Sequence, residues 1–290
     1  MRLLGFNPEL TGRFVAEPST PPDDGGEQQT MPERTSYQPG TLCWVDLNAP
    51  DPDAATTFYT GLFGWQAHLD GEVVAGHVTL TLDGDLSRPV AALMPMIAGA
   101  PPGTPPFWTT YVGVTDVDAT ARAAQDAGGR IFMGPMDTGD LGRFAILTDP
   151  YGAAIGLWQA AKFLGAGVAG EPGTYCWSEL ATRDPEGAKA FYGKVFGWGS
   201  DTHEGGTHTE WRNAGGPAIG WMTRMTDQWP AEMPSRWSVH FAVADCDATA
   251  AHAVELGGTV TVAPADVPAG RRAVLADPGG GRFAVIRQSP

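Results

Sequence analysis

The sequence predicts an α+β protein built by tandem duplication, in which each half contains two β-α-β-β-β modules. The first observation is an internal repeat: residues 40–65 and 173–198 align without a gap, with Gly, Cys, Trp, Pro and aromatic residues in register. The second is a weaker repeat inside each half, since Asp51 and Asp53 recur as Asp116 and Asp118. Residues 40–288 therefore divide into four equivalent modules.

The first module shows how each element is predicted. Residues 42–48 alternate in polarity, which favours a half-buried strand. Asp51-Pro52 then opens a helix, because an Asp side chain accepts free amide groups and Pro in the first turn loses no hydrogen bond. The helical spacing of apolar residues continues to Phe63, and Gly64 ends it. Further strands are predicted at about 65–69, 74–82 and 89–95.

The same pattern predicts the remaining modules and the domain limits. After a Pro-rich hinge at 99–106, the second module has a strand at 108–114, a helix at 116–127 and strands at 130–133, 143–147 and 153–158. The predicted domains are 40–160, with modules 40–98 and 106–160, and 172–288, with modules 172–226 and 235–288. A Gly-rich linker at 161–171 joins them.

Composition limits the functional classes. The net charge of −15 excludes a nucleic-acid partner, since phosphate neutralisation requires clustered Lys and Arg. The sequence has no apolar run of about 18 residues, so we expect no membrane partner. Three cysteines without metal-type spacing fit a reducing compartment. We therefore expect a cytoplasmic protein that is a monomer or a homodimer.

Residues 1–39 are predicted to be a flexible N-terminal tail. The segment 17–29 is rich in Pro, Gly and acidic residues and has no aromatic side chain, so it cannot offset the entropy of ordering. Met31 stands just before the first repeat. A chain that begins at Met31 is therefore expected to melt at nearly the same temperature as the full chain.

Two kinds of motif carry a family resemblance. Asp-Pro-Tyr-Gly at 149–152 and Asp-Pro-Gly-Gly at 277–280 precede the last strand of each half, and with the four modules they resemble the vicinal oxygen chelate superfamily. That group includes glyoxalase I, bleomycin-resistance proteins and extradiol dioxygenases. The motifs Cys-Trp-x-[Asp/Glu]-Leu, Phe-Tyr and Phe-Gly-Trp are most similar to the two-domain actinobacterial subgroup described as glyoxalase-like or as hydroxylases. The resemblance implies two domains with curved mixed sheets, helices outside and a substrate cup inside.

The resemblance also implies where a metal site would lie. Its ligands are a His or Glu on the first strand of one module, a His on the first strand of the partner module and a Glu on a last strand. The corresponding positions here hold Trp44, Thr109 and Gly156 in one half and Trp177, Ser238 and Ala284 in the other. None carries an imidazole or a carboxylate, whereas a divalent metal needs about three such donors. We therefore expect no metal and no other cofactor.

Strand alternation predicts which side chains face each cup. Cys43, Val45 and Leu47 are predicted to pack toward the helices. The N-terminal cup is then predicted to contain Trp44, Asp46, Thr109, Tyr111 and Trp158. The C-terminal cup is predicted to contain Trp177, Glu179, Ser238 and His240, with Trp211 and Trp221 on nearby strands. An aromatic wall with a carboxylate suits a flat, hydrophobic aromatic small molecule. The alternative is that each Trp belongs to the core and each carboxylate makes a structural hydrogen bond.

Three functions are compatible with these cups. The first is a metal-independent biosynthetic enzyme that uses acid–base catalysis on an aromatic or polyketide-like compound. It is favoured by two pairs of a carboxylate and a second titratable side chain, Glu179 with His240 and Asp46 with Tyr111. Of the two, the Glu179–His240 pair is predicted to titrate near neutral pH and to carry the chemistry. The alternative is a binding protein that sequesters such a compound, as the bleomycin-resistance proteins do. A third is a metal-dependent dioxygenase or hydroxylase with displaced ligands, for which the cluster of His203, Glu204 and His208 is a candidate.

Overall fold

The computed structural model describes residues 34–69, 76–97, 100–203, 206, 208–214 and 216–289. The elements of the first half are β1 (Leu42–Ala49), α1 (Pro52–Phe63), β2 (Gln66–Leu69), β3 (Val78–Thr81), β4 (Pro89–Pro95), β5 (Phe107–Gly113), α2 (Val117–Asp126), β6 (Arg130–Thr138), β7 (Gly142–Thr148) and β8 (Ala154–Ala160). Those of the second half are β9 (Tyr175–Thr182), α3 (Pro185–Phe196), β10 (Trp198–Thr202), β11 (His208–Asn213), β12 (Ala218–Arg224), β13 (Arg236–Ala242), α4 (Cys246–Glu255), β14 (Thr259–Val267), β15 (Gly270–Ala276) and β16 (Arg282–Gln288).

Each half forms one eight-stranded mixed sheet. The strand order is β2-β3-β4-β1-β5-β8-β7-β6 in the first half and β10-β11-β12-β9-β13-β16-β15-β14 in the second. At the centre of the first sheet, β1 pairs in parallel with β4 and antiparallel with β5. The matching orders confirm the predicted α+β fold and the tandem duplication. In the part of the chain that the structure describes, no helix is long and apolar enough to cross a membrane.

The helices begin where the sequence predicts, because an Asp side chain caps each of them. Each cap accepts a hydrogen bond from the backbone amide three residues later, and the four caps are Asp51, Asp116, Asp184 and Asp245. Helices α1 and α3 both end at a glycine with φ of 72°, a left-handed conformation that favours glycine. The repeated sequence therefore builds the same local structure twice.

The repeat-equivalent cysteines lie at equivalent β-bulges. The register of β1 against β5 shifts at Cys43, and the register of β9 against β13 shifts at Cys176. The Sγ atoms lie 3.5 Å from the carbonyl oxygen of Tyr111 and 3.4 Å from that of His240, respectively. The bulge corrects one prediction, since Cys43 packs beside Trp44 on the side of the N-terminal cup and not toward the helices.

One hydrophobic core runs through both halves. The helix α1 packs on strands of the second half as well as on its own sheet, so its aromatic side chains meet those of β13 and β16. The ring centroids of Phe63 and Phe241 lie 5.1 Å apart, and those of Tyr59 and Phe283 lie 5.3 Å apart. A smaller cluster around Trp44 occupies the opposite face of the first sheet. The helix-covered faces are therefore committed to the contact between the halves.

Two reciprocal hydrogen-bond bridges cross this core. The hydroxyl of Tyr59 donates to Asp277 Oδ2 at 3.0 Å and accepts from Trp108 Nε1 at 3.0 Å. In the equivalent bridge, the hydroxyl of Tyr192 donates to Asp149 Oδ2 at 3.0 Å. It also accepts from Trp237 Nε1 at 2.8 Å. Each bridge joins a tyrosine of one half to an aspartate of the other, so the buried polar groups of both halves are satisfied only together.

The linker and the last residues of the predicted tail pack against the first half. The Tyr37 hydroxyl donates to the Ala166 carbonyl at 2.7 Å, and the Ala166 amide donates to the Cys43 carbonyl at 2.9 Å. The Gly167 amide donates to the Pro89 carbonyl at 2.8 Å. Residues 34–39 are thus part of the folded body, which corrects the predicted end of the tail. The predictions for residues 1–33 lie outside the described residues.

We expect Tyr59→Phe to lower the free energy of unfolding by about 1–3 kcal/mol, because it leaves two buried polar partners unsatisfied. Tyr192→Phe should cause a loss of similar size. Since the core is shared, wild type and both variants should unfold in urea in one transition, with coincident Trp fluorescence and far-UV circular dichroism. The exposed control Phe132→Tyr should change stability by less than about 0.5 kcal/mol. A separate transition for each half would contradict the shared core.

Candidate functional site

A cavity of about 570 Å³ lies in the N-terminal cup, on the face of the first sheet that the helices leave free. The structure brings four of the predicted side chains together in its wall: Trp44, Asp46, Tyr111 and Trp158. Thr109 does not line the cavity; it is buried next to Asp46, to which it is hydrogen-bonded. The volume and the mainly apolar lining are typical of small-molecule sites.

The carboxyl group of Asp46 is the central polar group of this cup, and it is only 7% exposed. The Tyr111 hydroxyl donates to Asp46 Oδ2 at 2.7 Å, and Asn48 Nδ2 donates to Asp46 Oδ1 at 3.2 Å. Burial raises the pKa of Asp46 to about 7, although the hydrogen bonds from Tyr111 and Thr109 lower it. Burial, and next the negative charge of Asp46, raise the pKa of Tyr111 well above its usual range. Asp46 therefore exchanges its proton near neutral pH, while Tyr111 keeps its own.

Gly156 explains how Tyr111 reaches Asp46. A Cβ atom at position 156 would meet the ring carbon Cδ1 of Tyr111 at 2.2 Å, so the ring occupies the room that any larger side chain would need. This is the position where the family resemblance implies a metal-binding glutamate. The Tyr111 ring and a glutamate at position 156 therefore exclude each other in this arrangement.

The described residues do not fit the metal site that the resemblance implies. In the C-terminal half, the equivalent of Gly156 is Ala284, which is buried and has no donor atom. Among the described residues there is no group of three or more His, Cys, Asp and Glu side chains that could hold a metal ion. His203 contacts Glu210 at 3.7 Å and stacks on Trp221, and its sequence neighbour Glu204 lies outside the described residues. The residues at these positions therefore give no basis for a reaction step that uses a metal ion.

An aromatic corner closes one side of the N-terminal cavity. Phe163 packs edge-on against Trp44, with ring centroids 4.8 Å apart, and against Trp158 at 5.8 Å. Its carbonyl oxygen accepts a hydrogen bond from Trp158 Nε1 at 2.9 Å. Phe163 is not among the predicted cup residues because it lies in the predicted linker. Its bulk, among small linker residues, is the signal that could have revealed it.

Side chains from β6 and β7 form another part of the cavity wall. They include Met133, Met136 and Phe144, which the sequence analysis also missed. The sequence predicted a short strand at 130–133. The observed β6 continues to Thr138 through irregular pairing and so carries the methionines to the cavity. Unbranched methionine side chains give this wall an adaptable shape.

A smaller cavity, about 260 Å³, lies in the C-terminal cup. Of the predicted side chains, Trp177, Glu179, Trp221 and His240 line it. Ser238 lies opposite Glu179 on the neighbouring strand and is not part of the wall. The prediction for Trp211 is wrong. This side chain is fully buried in the shared core.

Trp211 faces the core because β11 turns that side chain toward α3. Its ring centroid lies 5.6 Å from that of Tyr192 and 5.7 Å from that of Trp198. On the same strand the neighbouring Glu210 lines the C-terminal cavity, as strand alternation requires. Trp211 was predicted from its place on a strand near the C-terminal cup, but its side chain lies on the other face, in the core.

The Glu179–His240 pair is not poised for proton transfer near neutral pH. Arg272 Nη1 lies 2.6 Å from Glu179 Oε2, and His240 Nε2 lies 3.6 Å from the same oxygen. Burial raises the pKa of Glu179, but the charges of Arg272 and His240 and the Thr223 hydrogen bond together outweigh it, so the pKa lies below its ordinary value. Burial lowers the pKa of His240 to about 4, against the opposing charge of Glu179. These shifts do not support the predicted titration of this pair near pH 7: Arg272, which the prediction missed, lowers the pKa of Glu179, and burial lowers the pKa of His240.

The comparisons with known proteins agree with this architecture. Residues 41–157 match the family model of the glyoxalase, bleomycin resistance protein and dioxygenase superfamily, and residues 164–286 match that of a glyoxalase-like domain. The Mycobacterium tuberculosis protein CFP32, whose name describes it as a glyoxylase, is 44% identical over 90% of this chain and 99% of its own length. The anthracycline biosynthesis protein DauV of Streptomyces sp. strain C5 is 41% identical over 87% of this chain and 94% of its own length.

Solved structures show the same fold at much lower identity. The Mn(II)-bound glyoxalase from Novosphingobium aromaticivorans superposes with a TM-score of 0.58 at 16% identity, covering 86% of this chain and 82% of its own. Together with the full-length relatives and the family models, this result confirms the resemblance inferred from the motifs. The chain therefore belongs to the glyoxalase, bleomycin resistance protein and dioxygenase superfamily, with one glyoxalase-like domain in each half.

Proposed function

We propose that the N-terminal cup binds a flat, hydrophobic aromatic or polyketide-like molecule and that Asp46 transfers a proton to or from it without a metal. One observation carries this proposal: a carboxyl group with a pKa of about 7 faces a cavity of about 570 Å³ with a mainly apolar wall. A general base or acid is most effective when its pKa lies near the working pH. Asp46, and not the predicted pair Glu179 and His240, is then the acid–base residue.

Each polar group around Asp46 has a separate role. In its ionised form, Asp46 removes a proton from an acidic C–H or O–H group of the bound molecule, and in its protonated form it returns one. Tyr111 and Asn48 are positioning residues, since each donates a hydrogen bond to a different carboxyl oxygen. The surrounding apolar side chains exclude water, which maintains the raised pKa. The mechanism needs no external redox partner.

The relatives support the substrate class. Two Streptomyces proteins, each 41% identical to this chain, are named as anthracycline biosynthesis proteins. An anthracycline core is a flat, fused aromatic polyketide, which matches the shape that the aromatic corner and the methionine wall accommodate. We infer that this chain takes a molecule of the same general class.

A second candidate function is binding without chemistry. The edge-to-face contacts of Trp44 and Trp158 with Phe163 form a rigid aromatic corner that suits ligand stacking by itself. Against this function stands the buried carboxyl group, which is costly in a cavity meant only for apolar contact. Recovery of unchanged ligand, as opposed to turnover, would favour the binding function.

The first test of the site follows the stability of Asp46→Asn against pH. The pKa of Asp46 rises from 3.8 to about 7 on folding, so its contribution to stability is fully present below pH 3.8 and is lost as the pH rises through 7. Asn cannot ionise. The free energy of unfolding of Asp46→Asn relative to wild type should therefore increase by about 4 kcal/mol between pH 4 and pH 8 in denaturant titrations.

Glu179→Gln is the matched control and should show the opposite trend. The pKa of Glu179 is lowered on folding, so its contribution is present above its ordinary pKa and is lost at lower pH. The variant should therefore be most destabilised, relative to wild type, at pH 8. A flat pH profile for Asp46→Asn would show that Asp46 has an ordinary pKa and would remove the basis of the proposal.

The second test measures turnover on a panel of flat aromatic polyketides, anthracyclinones included, in D₂O. Mass spectrometry of the recovered compounds detects both new products and exchange of carbon-bound hydrogen. We expect Asp46→Asn to lower the rate at least tenfold, equal to about 1.4 kcal/mol of transition-state stabilisation. Glu179→Gln should stay within about threefold of wild type. Trp44→Ala should weaken ligand binding, measured by fluorescence titration.

Other outcomes would assign the chemistry elsewhere. If Asp46→Asn retains wild-type turnover and Glu179→Gln loses it, the C-terminal cup is the active one. If wild type returns every compound unchanged and unlabelled while Trp44→Ala loses affinity, the binding function is correct.

The third test concerns metal. Because the family positions carry no donor side chains, we expect purified protein to contain well below one equivalent of Zn, Fe, Mn or Ni by elemental analysis. A chelator should leave turnover and ligand affinity unchanged. One tightly held ion per chain, together with loss of turnover after chelation, would support a metal site with displaced ligands.

A further inference from the structure

The C-terminal cup has a different chemistry from the N-terminal cup, and we propose that it is a second ligand site, which binds a compact organic cation between Trp177 and Trp221. This inference does not depend on the proposed function of the N-terminal cup. It concerns separate side chains on the second sheet, in a cavity of about 260 Å³. That volume suits an aromatic amine or a quaternary ammonium group more than a large fused-ring molecule.

The aromatic part of the site is a pair of tryptophans. The ring centroids of Trp177 and Trp221 lie 5.9 Å apart at an interplanar angle of 51°, so the two faces form an open wedge. The ring of His203 stacks on Trp221, with ring centroids 5.5 Å apart and an interplanar angle of 20°. Trp is the aromatic side chain that binds ammonium groups best, and the contact strengthens when the site is desolvated.

Two carboxylates flank the Trp221 ring. Trp221 lies on β12, which pairs with β11 on one side and with β9 on the other. Its direct partners are Glu210 on β11 and Glu179 on β9. Side chains at directly opposite positions share one face of a sheet. Both carboxylates line the cavity, and their side chains are only 13% and 16% exposed. An ammonium group over Trp221 would therefore be attracted from both sides.

The charge of the wall favours a cation over an anion. Two carboxylates line the cavity but only one guanidinium, and that guanidinium is held by Glu179 at 2.6 Å. His240 adds no positive charge near neutral pH, because burial lowers its pKa to about 4. Glu210 pairs with Arg212, which also binds Asp201. The three carboxylates of these ion pairs outnumber the two guanidinium groups, so a cation would balance the net charge, whereas an anion would add to it.

Two buried ring nitrogens in the cavity wall also lack a hydrogen-bond partner in the described part of the chain. Trp177 Nε1 and His240 Nδ1 are buried and have no hydrogen-bond partner among the described residues. Such atoms are rare in folded proteins, and a bound ligand is one physical explanation. The indole N–H can only donate, so it would bind an oxygen acceptor of the ligand, whereas Nδ1 of a neutral His240 could accept a hydrogen bond from an ammonium group. The N-terminal cup differs on every point, since its central carboxyl group is half protonated near neutral pH and its tryptophans pack on a phenylalanine. The duplication has therefore produced one cup for a neutral flat molecule and one for a cation.

The test uses full-length protein and three probes of similar size: benzyltrimethylammonium as cation, benzyl alcohol as neutral compound and phenylacetate as anion. Affinities come from isothermal titration calorimetry, and the site is located by NMR of the indole N–H signals. We expect the cation to bind at least tenfold more tightly than either other probe. The signals that shift should be those absent in the variants Trp177→Leu and Trp221→Leu.

The variants separate a built site from general attraction to an acidic protein. Trp221→Leu should weaken cation binding at least tenfold, and Glu210→Gln at least threefold. The exposed control Glu255→Gln removes the same charge outside the cup and should change affinity by less than twofold. Thermal melting of each variant establishes that it is folded.

Several results would overturn the proposal. These are equal affinity for the neutral probe, tighter binding of the anion, or shifts confined to indole signals other than those of Trp177 and Trp221. Cation binding that survives Trp221→Leu in a folded variant would also overturn it. If Trp221→Leu does not fold, Glu210→Gln with its control Glu255→Gln decides the question. None of these results bears on Asp46, so the two proposals stand or fall separately.

Discussion

Among the residues that the structure describes, each sheet leaves one face free, and the rest of the structure depends on this constraint. The other face carries the helices and the shared aromatic core, crossed by the buried bridges from Tyr59 to Asp277 and from Tyr192 to Asp149. Burial raises the pKa of both aspartates, although backbone amides of their loops lower it by donating hydrogen bonds. Substrate sites can therefore form only on the faces that point away from the core, and the central strand pairs β1–β5 and β9–β13 supply their central side chains.

Within this common frame the two cups have diverged through a few side chains. In the first, the glycine at position 156 leaves room for the Tyr111 ring, whose hydroxyl donates to the buried Asp46. The pKa of Asp46 is about 7. In the second, Arg272 neutralises Glu179 and keeps it ionised. Asp46 therefore gains and loses a proton near neutral pH, whereas Glu179 stays negatively charged. A carboxylate at equivalent strand positions thus has opposite properties in the two halves, because its neighbours differ.

Short-range signals made much of the fold predictable. Asp caps, glycine helix ends and strand alternation act over a few residues, so the repeats, the helix starts and the inward directions of Trp44 and Asp46 could be inferred from the sequence. Features that depend on distant contacts could not. Arg272 meets Glu179 across 93 positions of the chain, and Phe163 reaches its cup only because the linker folds back on the first half. The β-bulge at Cys43 reverses one side chain, and no local motif marks it.

The reciprocal bridges have a consequence for the origin of the chain. Each half gives a tyrosine and receives an aspartate, which is the pattern of an isologous interface between two identical subunits. A single half, standing alone, would expose its aromatic helix face and would bury it again by pairing with a copy of itself. The present chain is thus equivalent to a twofold-symmetric dimer joined covalently at residues 161–171, with a much higher effective concentration of the second subunit. In a true homodimer any change in one cup appears in both, and the covalent joint is what allowed Asp46 and Glu179 to acquire different surroundings.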